Sequence, residues 1–336
     1  MKTRVLAVDP LAPSPEALAE AARVLHGGKL VAFPTETVYG LGANALDASA
    51  VARIFAAKGR PAYNPLIVHL ADASQIHEVA ASWPEPASRL AERFWPGPLT
   101  LVLPRRDIVP DIVTATGPTV AVRVPAHPVA QALLRAAAVP LAAPSANRST
   151  ELSPTRAEHV LRGLDGRIDL LLDGGPTAGG IESTVLDVTT MPPRLLRPGL
   201  LGVAELEPVI GPLVRAPSTQ AETADVLASP GMMPRHYAPR TPLECIEAGR
   251  EMERLGLLLA ESRRVGWLAF GDPASMIPSG VIPRVLPSDP AGYAAQLYAV
   301  LHELDDARLD RILVTLPPDR VEWLAVRDRL HRAASI

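Results

Sequence analysis

The segment Leu30-Val31-Ala32-Phe33-Pro34-Thr35-Glu36-Thr37-Val38-Tyr39-Gly40-Leu41-Gly42 decides the fold class. Its first four residues form a short apolar run, the mark of a buried strand. The run breaks at Pro34 into a cluster of two threonine hydroxyls, a carboxylate and two glycines. Helix signals stand on both sides. Upstream, Ser14-Pro15-Glu16 opens a helix, with Ser as N-cap, Pro at the first helical position and an acid favoured by the dipole. Gly27-Gly28 closes it. Downstream, Asp47 caps a helix carrying Val51, Ile54 and Phe55, which stops at Lys58-Gly59. Helix, buried strand, polar turn and helix in succession predict an α/β domain with one mixed sheet. The polar turn reads in two ways: as a capped turn, or as a ligand loop at a strand end, where α/β proteins bind ligands.

The alternation continues to about residue 200. Further strands are expected at 66–70, 99–103, 120–124, 140–143, 169–172 and 184–188. Helices are expected at 86–94, 128–137 and 154–162, the last stopped by Gly163. Between 212 and 242 no period runs; Met232, Met233, His236 and Tyr237 stand among prolines, as in a linker with fixed turns. Strand patterns return at 266–270 and 311–315, and amphipathic helices at 293–304 and 321–333, suggesting a small Rossmann-like domain. The expected division is therefore 10–211, a linker at 212–242, and 243–336.

Composition narrows the function. The 336 residues are 48% hydrophobic and 21% charged, enough for two buried cores. A net charge of −3 argues against broad nucleic-acid binding. The single cysteine, Cys245, rules out an intramolecular disulfide framework and sits in an apolar setting. No signal-peptide h-region or membrane-length apolar run is visible, so a soluble, cytoplasmic protein with no membrane partner is expected. The histidines lack H-x-x-x-H spacing, and no G-x-S-x-G elbow or Walker loop occurs. His26, His77, His159, His302 and His331 read as helix-surface or helix-end residues.

Two further clusters carry chemistry. Lys58-Gly59-Arg60-Pro61-Ala62-Tyr63-Asn64-Pro65 sets two cations on a proline-locked loop, which suits phosphate, Lys as a point charge and Arg as a fork. Lys58 alone would read as a solvated helix cap. Ala143-Pro144-Ser145-Ala146-Asn147-Arg148-Ser149 follows a strand and offers hydroxyl, amide and guanidinium groups, or simply a turn. Arg123 lies in an apolar strand; inward it needs an anionic partner, outward it is solvated.

Taken in order, PTETVYGLG, KGRPAYNPLIVH, FWPGPLTLVL, TVAVRVP, PSAN, IESTVLDV and LRPG resemble the threonylcarbamoyl-AMP synthase family, with its YrdC-like fold, over residues 14–202. GMMPRHYAPRTPL and the residues after it resemble the linker and C-terminal domain of the longer form. The resemblance implies an enzyme that makes threonylcarbamoyl-adenylate and pyrophosphate from L-threonine, bicarbonate and ATP. The product would serve a tRNA threonylcarbamoyl-transferase complex acting on adenosine 37 of tRNAs that read ANN codons. It implies a catalytic tetrad of Lys58, Arg60, Ser145 and Asn147. Thr37, His69, Arg123, Ala143 and Ser183 would line the threonine site. Arg60, Asn64, Thr119, Ser145, Ser153, Arg197 and Tyr237 would contact ATP, whose Mg²⁺ the nucleotide would carry. The linker would close over the nucleotide as a lid. Thr150 stands where the family pattern has glycine, and Met233 where a basic residue is common. Two rival readings are a module of the same fold that docks on double-stranded RNA or tRNA, and a carbamoyl-phosphate-using transferase. The second would be accompanied by a cysteine-rich zinc region, which this chain lacks.

Overall fold

A computed structural model describes residues 2–215, 236–261, 263–271 and 277–334. Met232, Met233 and the rest of the expected linker from 216 to 235 lie outside the described residues. The first part of the chain carries strands β1 (Arg4–Ala7), β2 (Val31–Phe33), β3 (Gly40–Asn44), β4 (Ile67–His69), β5 (Leu99–Pro104) and β6 (Thr119–Arg123). It continues with β7 (Leu141–Ala142), β8 (Leu170–Asp173), β9 (Thr184–Asp187), β10 (Arg194–Arg197) and β11 (Val214–Arg215). Its helices are α1 (Pro15–His26), α2 (Ala48–Lys58), α3 (Ile76–Val79), α4 (Glu85–Phe94), α5 (Asp111–Thr114), α6 (Pro128–Ala137), α7 (Ala157–Leu164) and α8 (Val203–Ile210).

These strands form one mixed sheet in the order β1-β8-β2-β3-β7-β4-β6-β5-β9-β10-β11. β2 and β3 pair as an antiparallel hairpin, Val31 opposite Gly42 and Phe33 opposite Gly40, so the 34–39 loop is its tip. Alternation along β2 sends Ala32 to one face and Val31 and Phe33 to the other. On the first face Val51 and Ile54 of α2 and Leu90 of α4 complete a core. On the second, Leu25 of α1 and Leu133 and Leu134 of α6 do so.

The second sheet contains β12 (Leu243–Ile246), β13 (Val265–Ala269), β14 (Val281–Val285) and β15 (Arg311–Thr315), in the order β12-β15-β13-β14. Every pairing in it is parallel, as the Rossmann-like expectation requires. Helices α9 (Glu251–Ala260), α10 (Pro290–Asp306) and α11 (Leu324–Ala334) accompany it. Its core cluster takes in Val38, Leu152, Ile181 and Tyr237 beside Tyr293, Leu297, Tyr298 and Leu330. The two sheets are thus joined through a shared apolar core.

Several local expectations are corrected. α7 begins at Ala157 rather than 154, because the carbonyls of Pro154 and Thr155 are already engaged by the amides of Tyr39 and Thr177. Gly163 lies inside α7 instead of stopping it; a Cβ there would meet Arg148 Cγ at 3.2 Å, so the glycine admits the neighbouring loop. His302 is not a helix-surface residue, and His159 is half-buried against it. Their rings stack at 3.8 Å where α7 meets α10, and His302 is buried. Burial pulls His302 down to about 4, and it stays neutral, accepting from Arg162 at Nδ1 and meeting the Ser153 carbonyl at Nε2. At its described ends the 212–242 segment is tied to the first domain: β11 pairs with β10, and Ala238 donates to the Thr150 carbonyl.

Thr150 itself has φ +71°, a left-handed conformation that a β-branched residue adopts at a cost of about 1–2 kcal/mol. Thr150→Gly is expected to raise unfolding free energy by about 0.5–1 kcal/mol after the glycine entropy penalty. Urea denaturation reads this directly; a lower midpoint would show that the threonine side chain outweighs the strain.

Candidate active site

Strand and helix ends converge on one cavity. It is lined by Thr35, Thr37, Arg60, His69, Arg123, Ala143, Ser145, Glu182, Ser183, Arg197, His236 and Tyr237, together with apolar neighbours. About 50 Å³ of it is free, room for a few waters, because His236 and Tyr237 fill one side.

The hairpin tip supplies the first groups. Thr35 donates to the Val38 carbonyl (2.6 Å), which leaves its oxygen to accept from Thr37 (2.8 Å). Arg123, at the end of β6, then donates from Nη1 to Thr37 Oγ1 (3.0 Å) and from Nε to the Gly97 carbonyl (3.1 Å). Its Nη2 pairs with Glu36 at 2.7 Å. Of the two readings of Arg123, the inward one holds, and Glu36 is the anionic partner. The carboxylate stands in the sequence cluster that suggested the loop, yet only the fold shows what it faces. His69, at the end of β4, is buried beside Arg123, and burial with that charge pulls it down to about 3.

The cationic loop is held differently from a solvated cap. Gly59 closes α2 in the left-handed conformation (φ +63°) and turns the chain so that both cations point inward. Lys58 is 2% exposed. Its ammonium donates to the carbonyls of Ser145 (2.6 Å) and Asn147 (2.5 Å) and to Asn147 Oδ1 (3.3 Å). Burial, then the charge of Arg60, holds it well below the usual lysine range. Arg60 folds its fork onto Asn64, through the backbone oxygen (3.0 Å) and Oδ1 (2.6 Å), and onto the Pro65 carbonyl (2.7 Å). Burial pulls Arg60 down to about 9, so it is cationic at neutral pH.

Not every residue named from the sequence reaches the cavity wall. Lys58, Asn64 and Asn147 lie behind it, spent on the loops that line it. Ser153 is buried and donates to Glu182. Thr119 is at the opposite end of β6 from Arg123 and is not among the lining residues. Ser183 shares a hydrogen bond with Thr100 (2.8 Å) and accepts from Arg197 at its backbone oxygen (2.9 Å) and Oγ (3.1 Å).

The segment after the linker completes the roof. Tyr237 is 1% exposed at φ +60°, a strained backbone for an aromatic residue. Its ring meets His236 edge-on at 4.0 Å, and among the described residues neither Tyr237 Oη nor His236 Nδ1 has a hydrogen-bond partner. Burial, then Arg60 and Lys58, pushes His236 well below the ordinary histidine range. Two neutral imidazoles, the guanidinium groups of Arg60, Arg123 and Arg197, and the Glu182 carboxylate, paired from behind with Arg329, leave a net positive chamber, suited to an anionic ligand.

Such a fold and chamber define a class: an α/β protein with a cationic chamber at its sheet ends, beneath a roof abutting a second domain. The comparisons give the family. The Sua5/YciO/YrdC model, described as "Telomere recombination", matches residues 23–199. The model "Threonylcarbamoyl-AMP synthase, C-terminal domain" matches residues 201–335. The threonylcarbamoyl-AMP synthase of Pyrococcus abyssi is 45% identical over 94% of this chain and 93% of its own. That of Bacillus subtilis is 44% identical over 99% and 98%. The crystal structure of P. abyssi Sua5 complexed with L-threonine superposes with a TM-score of 0.92 at 43% identity, covering 99% of this chain and 98% of that one. The chain belongs to the threonylcarbamoyl-AMP synthase family, in its two-domain form, and is a nucleotidyl-transferring enzyme. No helix among the described residues is long and apolar enough to cross a membrane.

Proposed function

We propose that the chain condenses L-threonine, bicarbonate and ATP into threonylcarbamoyl-adenylate and pyrophosphate, supplying the threonylcarbamoyl group for adenosine 37 of tRNAs that read ANN codons. The observation that carries this reading is the composition of one chamber: hydroxyls and a guanidinium at Thr37, Arg123 and Ser183 share it with the cations Arg60 and Arg197. An amino acid with a hydroxyl and a carboxylate suits the first group, and a nucleotide phosphate suits the second.

The amine of threonine adds to bicarbonate with loss of water. An oxygen of the carbamate then attacks the α-phosphorus, and the bond to the bridging oxygen breaks as pyrophosphate leaves. No protein nucleophile is needed; the work is positioning and charge neutralisation. Arg123 holds the threonine carboxylate, with Ala143 packing alongside. Arg60 and Arg197 take the phosphates beside Ser145, and Lys58 and Asn147 fix that loop. Tyr237 and His236 keep water from the labile product, and they shift to admit the nucleotide. No three His, Cys, Asp or Glu side chains converge among the described residues. The described residues offer no metal cage, so Mg²⁺ is assigned to the ATP it accompanies.

Pyrophosphate release that requires all three substrates tests the reading; release with any one omitted would overturn it. The same assay tests selectivity. A site that hydrogen-bonds a hydroxyl leaves its own groups unpaired when the hydroxyl is missing. Valine is expected to support turnover at least about 100-fold less efficiently than threonine. Comparable kcat/KM values would remove the threonine assignment.

A further inference from the structure

Arg329 of α11 heads the largest fully buried side chains among the described residues, and two of its partners, Glu182 and Pro198, flank strands of the other sheet. Its Nε donates to Glu182 Oε2 at 2.7 Å and its Nη2 to the Pro198 carbonyl at 3.0 Å. Its Nη1 pairs with Asp328 at 2.6 Å, and its guanidinium lies 5.0 Å from the centre of the Tyr237 ring. Glu182 is also held by Ser153 and by the Tyr298 hydroxyl (3.2 Å). These contacts fall at telling places. Glu182 immediately precedes Ser183, and Pro198 immediately follows Arg197, so one side chain grips two of the segments that line the chamber. Tyr237, the third chamber residue in reach, is its cation–π partner.

On the reading given above, we infer that Arg329 is a positioning residue for adenylate formation, through which the C-terminal domain sets Ser183, Arg197 and Tyr237. Two physical points support this. A buried ion pair contributes little net stability relative to apolar packing, so cohesion between the domains is a weak reason to place one here. Geometry is a better one, because a guanidinium fork fixes direction as well as distance. Glu182 also lines the chamber, where a bare carboxylate would repel phosphate; Arg329 cancels that charge without entering the chamber itself.

The test uses the full-length chain and three variants: Arg329→Met, Arg329→Lys and the double change Glu182→Gln with Arg329→Met. Melting temperature is measured beside kcat and the KM values for ATP and threonine. Arg329→Met leaves Glu182 unneutralised, and both melting temperature and ATP affinity are expected to fall. The double variant removes both charges and is expected to melt near the wild type. Its kcat/KM for ATP should remain down by about 10- to 100-fold, the scale of a misplacement of about 1 Å. Arg329→Lys should recover ATP KM more than kcat, because charge returns without the fork to Pro198 or the contact over Tyr237. A double variant with wild-type kcat and both KM values would overturn the inference. So would an Arg329→Lys variant in which kcat and KM recover together. Wild-type turnover in the same assay reports separately on the functional reading.

Discussion

Replacing Lys58 with alanine is expected to abolish pyrophosphate release and to lower the unfolding free energy by about 2–4 kcal/mol. A solvated lysine at a helix end would contribute at most about 1 kcal/mol, the figure its sequence position suggests. The structure gives it more to do. Its ammonium is the donor for the carbonyls of Ser145 and Asn147, and its own carbonyl accepts from the Ser149 amide. The loop that follows β7 is therefore wrapped around this one side chain. Alanine leaves two inward carbonyls without a donor and frees Ser145 from its place on the chamber wall. Lys58→Met keeps the stem and removes the charge, so a shared loss of turnover in both variants assigns the effect to the ammonium. Calorimetric unfolding and the pyrophosphate assay measure the two parts. Normal turnover in either variant would return Lys58 to the status of a helix cap.

Gly180→Ala carries the second large effect. Gly180 has φ +74°, and a Cβ there would stand 2.2 Å from the Ala294 carbonyl oxygen and 2.5 Å from that of Ala295, both backbone atoms of α10. Its amide donates to the Thr37 carbonyl at 3.1 Å. The residue thus lies between the 34–39 loop and the C-terminal domain, with space for neither a methyl group nor a change of dihedral. Overpacking and the left-handed penalty together are expected to cost about 2–4 kcal/mol. The clash can be relieved only by moving α10 or by pulling the 174–182 loop off Thr37. Both routes reach the chamber, so turnover should fall by at least about 10-fold even at temperatures where the variant is folded. An unchanged denaturation midpoint with unchanged turnover would show that the helix yields freely.

The elements that position the chamber were mostly legible because they depend on local chemistry. Ser14, Pro15 and Asp47 start helices for reasons contained within a few residues, and Gly59 ends one at a positive φ that its position foretold. The strand ends that carry His69, Arg123 and Ser183 followed from short apolar runs. What escaped depends on residues far apart in sequence. Arg329 lies in an amphipathic helix whose pattern gives no hint of complete burial; its partner Glu182 is 147 positions away. His159 and His302 looked like ordinary helix residues until α7 and α10 were brought face to face. Glu36 was visible as a residue type but not as the counter-charge of Arg123. For Lys58 the sequence leaves a solvated cap and an inward cation both open, since nothing local states that a helix terminus will be covered; the fold buries it.

The shared core has a meaning for how such chains are inherited. The two family matches abut near residue 200, which invites the view that the halves are interchangeable cassettes. Val38, Leu152 and Ile181 contradict it, because they belong to the first match and pack among Tyr293, Leu297 and Leu330 of the second. A chimaera joined at that point would pair two half-cores shaped by different lineages. The mismatch would fall on Val38, one residue after Thr37 at the hairpin tip that lines the chamber. Exchange of C-terminal halves between relatives is therefore constrained by side chains that lie far upstream of the crossover.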